Sequence, residues 1–291
     1  MSELTQPSFS TLYADVPDNQ RETFLNFRKT HPLKTTVING VDWSYMDSGT
    51  GEQVILLLVG GLRKADAAWK SIPLLEAEFR VITPSYPSVS TMAELADGLA
   101  GILEAENIDT SFVLAGSFGG MLAQVYARRH MAKISKLILS TTAVFDEKNI
   151  EQYQQALAMI DPLPQEQVSQ LAKEMMFTII APPQDLHDFY RAYLNELYTY
   201  RVDKAELIST YQCLLDFAQN TSFSADDLRG WEGELLILES DDDATFDENT
   251  RSAVRAVYPQ AQTYIFHGAG HSPGTTQRDL YYKVVKEFLH G

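Results

Sequence analysis

Leu114-Ala115-Gly116-Ser117-Phe118-Gly119-Gly120 stands between two segments of different period. Ahead of it, residues 110–114 hold the apolar run Phe112, Val113 and Leu114 and read as a buried strand. Behind it, residues 121–129 put Met121, Leu122, Val125 and Tyr126 at helical spacing, with Arg128 and Arg129 near the end, so a helix is predicted. A serine among small residues where a strand turns into a helix is the nucleophile-elbow pattern. The turn strains the serine backbone, and Gly116 and Gly119 are expected to remove side chains that would collide with the flanking strand and helix. The hydroxyl is then held clear, and N–H groups at the helix start face the place where an oxyanion would form. Glycine-serine-x-glycine also occurs in ordinary turns, so the catalytic reading depends on finding the other parts in the right chain order.

Upstream, Asn39-Gly40 is a hairpin signal joining strands over residues 34–41 and 42–47. Residues 54–59 form a continuous apolar strand, suited to the middle of a parallel sheet, and end at Val59-Gly60-Gly61-Leu62. A helix is predicted over 66–77, a strand over 80–83, and a helix opened by the capping box Thr91-Met92-Ala93-Glu94. Residues 1–34 form an N-terminal extension with a short helical pattern around Phe24, Leu25 and Phe27. Downstream, residues 136–140 are another strand. Alternation then stops: residues 146–230 read as helical, broken at Asp161-Pro162, Ala181-Pro182-Pro183 and Asn220-Thr221. It resumes with strands over 234–238 and 262–266 and helices over 247–257 and 278–289. The expected fold is α/β, a mostly parallel sheet with helices on both faces. Its core is 1–145 with 231–291, and 146–230 is an inserted helical cap.

A serine hydroxyl needs a base, and the base needs an orienting group. Of six histidines, only His267 and His271 fall between the last strand and the last helix, in Phe266-His267-Gly268-Ala269-Gly270-His271. His271, deeper in that flexible loop, is the expected base; His267 reads as a locally bonded strand-end residue. The orienting acid should follow the strand at 235–238, where the chain has Glu239-Ser240-Asp241-Asp242-Asp243. Asp242 is the expected acid, Asp241 and Asp243 compete with it, and Asp146 is a more distant alternative. The bland alternative is a solvated acidic loop capping the next helix.

Composition narrows the partners. The chain has 291 residues and a formal charge of −16, which disfavours nucleic acid and anionic membrane surfaces. One cysteine, Cys213, excludes an internal disulfide and a cysteine-rich metal site, and its setting on a helix face suggests a packed thiol. No His-Glu-x-x-His or phosphate-loop motif occurs, so no metal and no cofactor are expected. With no signal-peptide pattern and no apolar run long enough to span a bilayer, a cytoplasmic protein is expected.

Serine, acid and histidine in that chain order, with a helical block before the acid, resemble the α/β-hydrolase superfamily. The resemblance runs from about residue 35 to the end. It implies a cofactor-free serine hydrolase acting on a small acyl substrate, with Ser117 as nucleophile and an oxyanion hole made by the N–H of Phe118 and of Gly61, or Leu62 in its place. A carbon–carbon bond hydrolase would use the same triad. Relatives with aspartate at the elbow, the dehalogenases and epoxide hydrolases, are disfavoured by Ser117. Two departures are visible: Val59-Gly60 stands where many members have His-Gly, and Pro84-Ser85-Tyr86-Pro87-Ser88 replaces a longer glycine-rich loop. Tyr86-Pro87 and Val257-Tyr258-Pro259 are similar to maspardin, a branch linked to protein binding, which implies a non-catalytic alternative. In the cap, Met175, Met176, Phe177, Phe189, Tyr190, Tyr193, Tyr198 and Tyr200 are expected to be mostly cap core, with a minority lining an apolar pocket over Ser117.

Overall fold

The chain enters its sheet through a hairpin. Strands β1 (Lys34–Ile38) and β2 (Val41–Asp47) pair antiparallel with Ile38 opposite Val41. Asn39 and Gly40 both take positive φ, 53° and 79°, which a two-residue primed turn requires. This computed structural model describes residues 7–145 and 147–291. The other strands are β3 (Val54–Leu58), β4 (Arg80–Ser85), β5 (Ser111–Gly116), β6 (Ile134–Ser140), β7 (Glu234–Ser240) and β8 (Gln262–Phe266), in the spatial order β1-β2-β4-β3-β5-β6-β7-β8. From β4 to β8 every pairing is parallel. All five residues of β3, Val-Ile-Leu-Leu-Leu, are buried, as an unalternating run in a covered sheet should be.

Strand order reverses between β3 and β5: from β3 the chain steps to β4 on one side and then crosses to β5 on the other. The turns leaving β3 and β5 therefore diverge and open a crevice at the carboxyl edge of the sheet. Both the Gly60-Gly61 turn and the Ser117 elbow leave the sheet at that crevice.

The helices are α1 (Phe9–Leu12), α2 (Asp18–Thr30), α3 (Ile72–Leu75), α4 (Met92–Ala105), α5 (Phe118–Arg129), α6 (Glu147–Ile160), α7 (Gln165–Ile180), α8 (His187–Glu196), α9 (Lys204–Asn220), α10 (Glu248–Val257), α11 (Pro273–Thr276) and α12 (Arg278–His290). The capping box forms as expected: Thr91 Oγ1 accepts from Glu94 N–H, and Glu94 Oε2 accepts from Thr91 N–H. The helix predicted over 66–77 does not run through. It splits into a 3-10 turn at Ala65–Ala68 and the four-residue α3. Pro73 explains the break: its nitrogen has no hydrogen to give to residue 69, so it is tolerated only in the first turn of a new helix.

Helices α6 to α9 form the insertion between β6 and β7. Those two strands still pair directly, Ile138 opposite Leu236, so residues 141–233 leave the sheet and return without disturbing it. The N-terminal segment packs on this insertion. Phe24 of α2 meets Phe189 of α8 edge to face, centroids 5.1 Å apart, and stands 5.2 Å from Trp69. A buried ionic network lies beside these rings. Asp66 accepts from Arg28 Nη2 at 2.7 Å and from Arg201 Nη1 at 2.8 Å, and Arg28 also donates to Glu196 at 2.9 Å.

Burial opposes the charge of Asp66, but Arg201 and Arg28 outweigh it and hold the carboxyl below the usual carboxylate range. A depressed folded-state value means the contact stabilises fully above the unfolded-state value. That contribution is lost as pH falls through the folded-state value. Asp66→Asn is expected to cost about 3 kcal/mol at neutral pH, because Arg201 loses its carboxylate partner and Arg28 keeps only Glu196. Urea unfolding at neutral and acid pH checks this, and the gap between variant and wild type should narrow on acidification.

Candidate active site

Ser117 sits at φ 52° and ψ −121°, a conformation that a residue with a side chain occupies only under constraint. The constraint is visible. Ser117 N–H donates to Ser140 C=O of β6 at 3.0 Å, and its own C=O accepts from Gly120 N–H and from Thr142 Oγ1. The small residues after it are needed for close approach. A Cβ on Gly119 would lie 2.5 Å from Leu58 C=O, and one on Gly120 would lie 2.6 Å from Thr142. The expectation for Gly116 fails, since a Cβ there would meet nothing closer than Ser140 C=O at 3.7 Å, an ordinary contact.

His271 Nε2 lies 3.0 Å from Ser117 Oγ. Its Nδ1 lies 2.9 Å from Asp243 Oδ2 and 3.1 Å from Oδ1. The Asp243 side chain is 1% exposed and that of His271 5%. Asp242, the acid expected from the sequence, does not reach His271. Its Oδ1 accepts instead from Gly270 N–H and from Ser240 Oγ, both at 2.8 Å. The cause is the path of the backbone after β7. Asp241 N–H still donates across to Phe266 C=O, while Asp243 N–H folds back to Ser240 C=O. Three successive aspartates thus engage the 267–271 loop one after another: Asp241 takes His267 and Gly268, Asp242 takes Gly270, and Asp243 takes His271. One cue to Asp243 was present in the sequence. It precedes Ala244-Thr245, and its Oδ1 accepts from Thr245 N–H at 2.8 Å and Phe246 N–H at 3.1 Å, an Asx turn that fixes its rotamer. Asp146 lies outside the described residues. His267, 82% exposed, pairs with Asp241 at the surface, as its strand-end reading anticipated.

Phe118 is the first residue of α5, so its N–H has no acceptor within the helix. In the turn after β3, the backbone bonds run from Arg63 N–H to Gly60 C=O and from Lys64 N–H to Leu62 C=O, and do not use Gly61 N–H. Gly61, Ser117 and Phe118 line one cavity.

That cavity holds about 490 Å³ and is roofed by α6, α7 and α9, with Met159, Met175, Met176, Tyr198 and Leu214 in its wall. Among the described residues, no carboxylate, ammonium, guanidinium or imidazole lines it. A second cavity of about 210 Å³ also reaches Ser117 and His271, with Ser71, Tyr190, Ser272 and Thr275 in a wall that is otherwise mainly apolar. Met176 and Ile179 border both. Of the cap residues considered from the sequence, Met175, Met176 and Tyr198 line the large cavity and Tyr190 the small one. Phe177 turns away, against His187 and Arg191. Cys213 is buried, and burial pushes its thiol up to about 12, consistent with a packed side chain. Among the described residues, no group of acids, histidines or cysteines is placed to hold a metal, and no helix is long and apolar enough to cross a membrane.

Comparison with known proteins places the fold that carries these residues in one family. The family model described as alpha/beta hydrolase fold matches residues 53–274, and the chain belongs to that family. Its relatives include the proline iminopeptidase PfmaB of Pestalotiopsis fici, 22% identical across 87% of this chain and 97% of the relative. Maspardin of Danio rerio is 28% identical, across 42% of this chain and 43% of the relative. Among solved structures, a thermophilic esterase from Thermogutta terrifontis superposes with a TM-score of 0.69 at 23% identity, covering 89% of this chain and 97% of that one.

Proposed function

We propose that this chain is a serine hydrolase that cleaves carboxylic esters or related acyl compounds, with Ser117, His271 and Asp243 as its triad. The observation that carries the reading is the continuous contact from Ser117 Oγ to His271 Nε2 at 3.0 Å and from Nδ1 to Asp243 at 2.9 Å. With the Nδ1 hydrogen donated to Asp243, Nε2 is left as an acceptor for the serine proton. Oγ attacks the acyl carbon as its proton passes to Nε2, and the carbonyl electron pair moves onto oxygen. The N–H groups of Phe118 and Gly61 receive that oxyanion, each contributing roughly 3 kcal/mol to lowering the barrier. The imidazolium then protonates the leaving alkoxide, an acyl-enzyme remains, and water repeats the sequence with His271 again as base. Asp243, buried and in contact with Nδ1, steadies the imidazolium in both halves.

The large uncharged cavity supports an apolar acyl group, and the smaller cavity supports a compact leaving group. The maspardin-like alternative, a non-catalytic binding protein, is disfavoured because the three side chains are assembled at hydrogen-bonding distances. The test is labelling by a fluorophosphonate probe, followed by hydrolysis of p-nitrophenyl esters from acetate to palmitate. Labelling is expected, with kcat/KM rising from acetate to an intermediate acyl length and falling once the chain outgrows the cavity. A folded protein that neither labels nor hydrolyses any ester would sink the proposal and turn attention to a protein partner.

A further inference from the structure

Two features of the sequence are not absorbed by the triad: Tyr86-Pro87 in place of a glycine-rich loop, and Arg63 two residues after Gly61. In the structure they meet. Tyr86 grips the turn after β3 at both ends. Its O–H donates to Val59 C=O at 2.7 Å and its N–H to Arg63 C=O at 2.9 Å. Arg63 answers from within the turn. Its Nη2 donates to Pro87 C=O at 2.7 Å and to Tyr86 C=O at 3.3 Å, and its Nη1 donates to Thr210 Oγ1 of α9 at 2.7 Å. Ser209 of α9 accepts from the same guanidinium and from Val89 N–H.

This arginine is expensive to keep. It is 1% exposed, its backbone sits at φ 63°, and its Nε is buried without a partner. Among the described residues, no carboxylate forms an ion pair with it. Lys64, its neighbour, pairs directly with Glu206, whereas the hydrogen bonds of Arg63 go only to neutral oxygens. Burying a guanidinium that has no direct ion pair, in a left-handed backbone position, is unfavourable for packing alone, since a neutral side chain would fill the space without desolvating a charge. What the arrangement does achieve is rigidity at one place. Residues 59–63, which carry Gly61 N–H, are tied to the β4–α4 loop and to α9, which walls the large cavity.

We propose that Tyr86 and Arg63 form a clasp that positions Gly61 N–H for the oxyanion and anchors the turn to α9. They are positioning residues, acting through Gly61, and the inference rests on the reading of Ser117 as nucleophile. Misplacing one oxyanion donor weakens binding of the transition state more than of the substrate, so the loss should fall on kcat.

The experiment measures kcat and KM of Tyr86→Phe, Arg63→Met and Arg63→Lys on an ester that the wild type hydrolyses, per active site titrated with fluorophosphonate. Titration removes any difference in the folded fraction. We expect kcat to fall roughly tenfold in Tyr86→Phe and roughly 100-fold in Arg63→Met, with KM within about twofold. Arg63→Lys should recover part of the loss, and the double variant Tyr86→Phe with Arg63→Met should lose less than the product of the two. The pH profile of kcat should keep its shape, because the His271–Asp243 pair is untouched. If Arg63→Met yields no folded protein, Tyr86→Phe, which deletes a single hydroxyl, carries the test. Variants with reduced thermal stability but unchanged kcat per titrated site would overturn the clasp alone. A wild type that neither labels nor turns over would overturn the hydrolase reading and the clasp with it.

Discussion

Ser117→Ala is expected to lower ester turnover by about 10⁶-fold and to abolish fluorophosphonate labelling, and His271→Ala to do nearly the same. The reason is that the two act as a unit. Without Oγ there is no covalent intermediate, and without Nε2, 3.0 Å away, the hydroxyl keeps its proton and is a poor nucleophile. The double variant should therefore be scarcely worse than either single one. Stability should change little in Ser117→Ala, since alanine at φ 52° bears the same backbone strain and the bonds that hold the elbow use main-chain atoms. Steady-state kinetics with circular dichroism and thermal unfolding check both halves. Residual turnover within tenfold of wild type would mean that another group attacks the substrate.

Asp243→Asn is expected to reduce kcat by roughly 10⁴-fold with the fold intact, whereas Asp242→Asn should lose less than about fivefold. The structure dictates how asparagine would sit at 243. Oδ1 accepts from Thr245 N–H and Phe246 N–H, so the amide oxygen must keep that place and the NH₂ must occupy the position of Oδ2. That group then faces His271 Nδ1 at about the 2.9 Å now spanned by Oδ2. Two donors cannot meet there, so Nδ1 gives up its hydrogen and Nε2 takes one. Nε2 can no longer accept from Ser117. At 242 the working atom is Oδ1, which asparagine retains, so Gly270 N–H and Ser240 Oγ keep their acceptor. Equal losses in the two variants would contradict the assignment of Asp243.

These contrasts show where sequence reading succeeds and where it stops. The hairpin at Asn39-Gly40, the capping box at Thr91 and Glu94, the apolar β3 and the elbow were legible because each depends on a few neighbouring residues. Turn chemistry, helix caps and hydrophobic period are local properties, and local order transmits them. The single extended helix expected over 66–77 failed for an equally local reason, Pro73, whose lack of an N–H was open to inspection. Gly116 is different. Whether a Cβ has room depends on the strand beside it, and that neighbour lies more than twenty residues away in sequence.

The order of serine, acidic loop and histidine, and hence the fold family and the presence of a candidate triad, was determined by the sequence alone. Which aspartate serves His271 was not. Asp241, Asp242 and Asp243 are chemically identical and adjacent, and only the turn after β7, set by pairing with β8 and by the Asx turn at Thr245, separates their directions. The same holds for the two cavities around Ser117 and for the grip of Tyr86 and Arg63 on the turn after β3. Each is assembled from segments far apart in the chain, brought together by a sheet whose strand order no local pattern encodes.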